Sequence, residues 1–140
     1  MRLEKLQIVI LVIALLSFLV GIFVYDKMPQ SMASHWNLHG EVDGYLPRFW
    51  GVFIFPLLLA GLAALYILIP QLGPLKENIR AFIAYYHPFA FFSLVFLFGV
   101  YIQVLLWNIG TEISFLVTLP VGLKCLFFFL GILCGNSRRN

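Results

Sequence analysis

Charge is what this chain has least of. Asp, Glu, Lys and Arg make up 11% of its 140 residues, against about 25% in a soluble domain. Hydrophobic residues make up 62%, and the mean hydropathy is +0.99. That composition excludes a soluble enzyme domain, a disordered tail and a nucleic-acid binder. Cysteine is also scarce. Cys125 and Cys134 share one apolar run, about 13 Å apart along a helix axis. That is too far for a bridge, and both read as buried apolar thiols. No His-Glu-x-x-His, Gly-x-Ser-x-Gly, phosphate-binding glycine loop or dinucleotide fingerprint occurs, so the reading is non-enzymatic. Long polar stretches are missing too. The longest, Asp26 to Arg48, has 23 residues, well under the roughly 40 at which an unaided core becomes feasible.

What remains is an integral membrane protein. Four apolar runs predict spans at about 6–25, 49–69, 88–109 and 115–134, in an all-α four-helix transmembrane bundle forming one domain over 1–140. The first run has 20 uncharged residues, about 30 Å of helix, which matches a hydrocarbon core. It is longer than a signal-peptide core and does not end in small residues, so it reads as a retained helix. Pro56 is expected to kink the second span. Pro88 is expected to open the third, after an amphipathic extension from about Leu75. The linkers are an outer loop at 26–48 and a cytoplasmic loop at 70–87. Small residues, Gly21, Ala60, Gly61, Ala63, Ala64 and Gly99, are expected to allow close helix approach.

Basic residues set the orientation. Arg2, Lys5, Lys76, Arg80, Arg138 and Arg139 fall on one side of a four-span chain, and Lys27 and Arg48 on the other. The basic side is read as cytoplasmic, with both termini there, in the cytoplasmic membrane. Tyr25, Trp50 and Trp107 then share the outer interface. This bias accounts for the net charge of +3 with no nucleic acid as partner.

The outer loop gathers three of the six acids and two of the three histidines. Gly40 and Gly44 permit positive φ, and Pro29 and Pro47 stiffen its ends. Two readings stay open. In one, His35, His39, Glu41 and Asp43 supply nitrogen and oxygen ligands to a divalent metal, in a metal- or cation-binding membrane protein or a small transporter. In the other, polar side chains cap the first two helices. Lys124 stands mid-way along the fourth run. A lysine there costs about 2.5–3.5 kcal/mol, while each Leu, Ile, Phe or Val returns about 0.3–0.6. It either lines a polar cavity with Gln103, Tyr101 or Asn108, or snorkels or donates to carbonyls freed near Pro120. His87 reads as an interfacial histidine.

Met28-Pro29, His35-Trp36-Asn37 and Gly40-Glu41-Val42-Asp43-Gly44-Tyr45 together resemble the first-loop signature of the SdpI-type membrane proteins. Pro56, Ile69 to Pro74 with Glu77-Asn78-Ile79, Tyr101, Trp107 to Gly110, Gly131 and Gly135-Asn136 are similar too. The resemblance implies a toxin-immunity or signal-transducing protein, with a peptide toxin or a cytoplasmic regulator as partner. It implies a ligand-binding loop built on Pro29, His35, Asn37, Gly40 and Asp43. It departs at Gly73, where the family usually has Asp. It also implies only the N-terminal half of such a protein, because that family continues with a Gly-Ile-Arg-Thr-Pro-Trp motif and further spans. A complementing second half or a homodimer is expected beside the lipid bilayer as partner.

Overall fold

The structure, a computed structural model, describes residues 5–72 and 83–137. Its elements are α1 (Lys5–Val24), β1 (Ser31–Trp36), β2 (Val42–Pro47), α2 (Arg48–Leu68), α3 (Ile83–Asn108) and α4 (Phe115–Ser137), with short 3₁₀ turns at Tyr25–Lys27 and Ile69–Gln71. All four helices are long and apolar enough to cross a membrane. The chain is a membrane protein.

The first three helices form a mutually packed trio. On α1 the buried residues are Ile10, Ala14, Ser17 and Gly21. Their spacing of three and four makes one stripe, and its small side chains let neighbouring backbones approach. Ser17 donates to the Ala14 carbonyl at 2.6 Å, so its buried hydroxyl is satisfied within the helix. Val52, Pro56, Leu59, Ala63 and Ile67 make the matching stripe on α2. One core joins Ile10, Ala14, Leu59, Ala63, Ala90 and Leu94. Near it Tyr66 and Ser93 share a hydroxyl hydrogen bond of 2.8 Å. The second core, nearer the hairpin, joins Met28, Met32, Val52, Tyr101 and Leu105.

Three sequence expectations change. The 26–48 segment is no plain loop, since β1 and β2 pair antiparallel across it. Among the described residues the third span runs over Ile83–Asn108, and Pro88 lies inside it. Inside a helix proline forfeits one backbone hydrogen bond, here the one to the carbonyl of Ala84. The amphipathic extension from Leu75 lies, up to residue 82, outside the described residues. Among the small residues, Ala63 is in the core and Gly21 lies against the Tyr101 hydroxyl, but Gly61 and Gly99 meet open space.

The fourth helix is set apart. It leans chiefly on α3, through a Phe92–Phe129 ring stack at 4.5 Å and the face of Gly122. A side chain at Gly122 would overlap the Phe96 ring. The turn from α3 to α4 ends the helix with Gly110 at φ +93°. The Thr111 amide reaches back to the Leu106 carbonyl at 2.9 Å and that of Gly110 to Trp107 at 3.1 Å. This is a Schellman cap, where the left-handed residue is favourably glycine.

Candidate functional site: the hairpin and the groove beneath it

The loop motif builds a hairpin. Asn37 organises its turn: its Oδ1 accepts from the amides of His39 at 2.8 Å and Glu41 at 3.0 Å. Its Nδ2 donates to Glu41 Oε2 at 3.0 Å. Its own backbone pairs with Glu41 and Gly40. This is an asparagine's usual work in turns. Gly40 completes it at φ +80°, a left-handed conformation other residues adopt at a cost. Across the strands His35 Nδ1 meets Asp43 Oδ1 at 2.5 Å. At the base the Arg48 amide donates to the Gln30 carbonyl at 2.9 Å, and Arg48 Nε reaches the Pro29 carbonyl at 3.5 Å. Pro29, His35, Asn37, Gly40 and Asp43 therefore share one structure, each with a part in shaping it.

An isolated two-stranded hairpin is marginal in water, and this one leans on the bundle. Met32 is fully buried against Gly51 of α2. Asn108, the last residue of α3, clamps Ala33: Oδ1 accepts its amide at 2.8 Å and Nδ2 donates to its carbonyl at 3.0 Å. Trp36 lies against Phe115 with ring centroids 4.2 Å apart and meets Trp107 edge-on at 5.4 Å. The hairpin thereby touches α2, α3 and the start of α4.

Beneath it lies a groove of about 370 Å³, within the range of small-ligand sites. Phe55 of α2, Val100 and Val104 of α3, and Phe115, Leu116, Leu119 and Pro120 of α4 form its apolar walls, while Ser34, His35, Trp36, Asn37, Leu38 and Gly40 line it from the hairpin. Two features stand out. Leu38 at the turn is 92% exposed, an apolar side chain that folding leaves unused. The Trp36 indole N–H is buried with no hydrogen-bond partner among the described residues, a donor the fold leaves unsatisfied.

The four proposed metal ligands do not converge. His35 is joined to Asp43, Glu41 is turned to Asn37, and the His39 amide is tied into the turn. Among the described residues no group of three or more His, Cys, Asp or Glu is placed to hold a metal ion. Strand pairing separates residues that a helix would have put on one face. The polar cavity around Lys124 does not form either. Gln103 is buried, donating to the Ile113 carbonyl at 2.9 Å and accepting from Thr118 Oγ1 at 2.8 Å. That latches the start of α4 to α3. Tyr101 faces the core, Asn108 holds the hairpin, and Lys124 is exposed on α4. Nothing local in the sequence marks the Asn108 clamp, although Trp107 to Gly110 form part of the family-like pattern. Its partner is a backbone 75 residues away, which no local pattern shows.

Residues 12–60 match the model of a family described as a domain of unknown function, DUF1648. They run from α1 through the hairpin into α2, so the match covers the motif and the helices that carry it. No curated protein and no solved structure matches the chain.

Replacing Asn37 with alanine is expected to loosen the turn. It removes three side-chain hydrogen bonds, each worth about 0.5–1.5 kcal/mol net. Amide exchange at His39 and Glu41 should speed up by roughly tenfold or more. Unchanged exchange would show that Asn37 does not hold the turn. The exposed His35–Asp43 pair should contribute under about 1 kcal/mol, so His35→Ala should leave thermal stability nearly unchanged.

Proposed function

We propose that the protein is a non-enzymatic binding protein of the cytoplasmic membrane. It takes an amphipathic ligand at the bilayer surface, with the apolar part in the groove and the polar part against the hairpin. The observation that carries this reading is the pairing of an apolar groove with a polar, firmly anchored hairpin. The unused Leu38 and the unsatisfied Trp36 donor support it. The bias of basic residues supports placing the hairpin outside the cell and both termini inside. The SdpI-like motif supports a secreted, membrane-active peptide as the ligand, with immunity or signalling through a cytoplasmic regulator as the role.

The test is survival. Cells sensitive to such a peptide would express the chain or its Leu119→Phe variant, which fills the groove. The wild type should raise survival, and Leu119→Phe should lose that gain at equal membrane levels. Killing unaffected by the wild type would count against the immunity role, and protection that survives Leu119→Phe would count against the groove.

A further inference from the structure

Of the four candidate spans α4 is the least covered: 6% of its apolar window is buried, against 22–39% for the others. Exposure alone means little for a membrane helix, because lipid tails are as apolar as leucine. Lys124 changes that. It is the tenth residue of α4, roughly 14 Å along the axis from the helix start. It lies on the exposed surface with Val121, Leu123, Phe127 and Phe128. The interface is further than a four-carbon stem reaches, so snorkelling brings the ammonium only part of the way to water.

None of the six acids falls within α1, α2, α3 or α4: they are Glu4, Asp26, Glu41, Asp43, Glu77 and Glu112. Glu112 stands twelve residues before Lys124, about 18 Å by helical rise. Among the described residues no ion pair or hydrogen bond joins Lys124 to a partner. Ionisable residues inside a membrane pair with one another or with polar groups. A second copy of this chain brings no carboxylate within its helices and sets Lys124 against its own charge.

We propose that the exposed face of α4 is a docking surface for a different transmembrane helix, one carrying an Asp or Glu at mid-depth opposite Lys124. The free carboxylate, not the apolar area, supplies the selectivity. The ligand groove takes Phe115, Leu116, Leu119 and Pro120 from the start of α4, and Lys124 lies one turn beyond Pro120.

The test uses the full chain in phosphatidylcholine vesicles. A donor dye is attached at Ser114→Cys in a Cys125→Ala, Cys134→Ala background. Synthetic leucine–alanine helices of about 20 residues, with Glu or Leu at the centre, carry the acceptor dye. The Glu peptide should associate roughly tenfold more tightly than the Leu peptide. Lys124→Leu, which eases insertion, should erase that preference, and Lys124→Arg should keep it. Equal binding of both peptides would overturn the proposal, as would a preference that persists in Lys124→Leu. Energy transfer between two labelled copies of the wild type, lost in Lys124→Leu, would overturn it in favour of a second copy.

Discussion

Asn108→Ala should release the hairpin from the bundle. The side chain holds both polar groups of the Ala33 peptide and also donates to the Val104 carbonyl at 2.9 Å. Ala33 is 6% exposed, so water cannot readily replace what is lost. An orphaned buried polar group costs about 1–3 kcal/mol, and two are created, which puts the loss near 3 kcal/mol. Opening of the hairpin should then be roughly 100-fold more frequent, visible as faster amide exchange at Ala33. Asn108→Asp separates the halves of the clamp. It keeps an acceptor for the Ala33 amide but sets a carboxylate against the carbonyl, and should be at least as damaging as alanine. Exchange at Ala33 within threefold of wild type in both variants would remove Asn108 from the account.

Gly51→Leu should act from the other side. A Cβ at Gly51 would sit 2.7 Å from the Met32 sulfur and 2.9 Å from the Met32 Cβ. The sulfur can swing away, but the Cβ moves only with the strand. Met32 is fully buried in the core with Met28, Val52, Tyr101 and Leu105, so the strand has to lift. Overpacking of this kind costs about 1–3 kcal/mol, and a leucine belongs at the upper end. The sign is clearest in Gly51→Ala. Inside a helix that change ordinarily stabilises by about 1 kcal/mol, whereas here it should lower the melting temperature in detergent. In a Met32→Gly background both clashing atoms are gone, and adding Gly51→Ala should be neutral or stabilising. A Gly51→Ala protein that melts higher with Met32 in place would contradict the packing.

The helices were legible in the sequence because each is a continuous apolar run of about 20 residues, and few other structures use one. Their buried stripes also follow the helical period. The hairpin was not legible. Its second strand alternates in exposure, but the first is irregular, with Met32 and Ala33 both buried. Register shifts on either side of His35 break the period of two. Gly, Pro and Asn also lower the strand signal. The strands form because the bundle end supplies the surface that Met32 and Ala33 pack on, information carried by Gly51 and Asn108. The same blindness produced the metal reading. His35, His39, Glu41 and Asp43 are near neighbours in sequence, and only the pairing shows that His35 and Asp43 join each other while Glu41 turns to Asn37. Lys124 was visible at once, but its exposed position on α4 depends on which side of that helix α3 covers.

The central claim is that ligand enters the groove between the hairpin, α3 and α4. Site-specific photocrosslinking tests it most directly, with benzoylphenylalanine placed at Leu119 in the groove wall or at Val117, 65% exposed on α4 and outside the groove lining. Each protein in vesicles is mixed with the membrane-active peptide used in the survival assay and irradiated. The expected result is a peptide adduct from position 119 that excess unlabelled peptide competes away, with little from position 117. Equal, non-competable labelling from both positions would mean the peptide merely shares the bilayer with the protein, and would contradict the groove as a binding site.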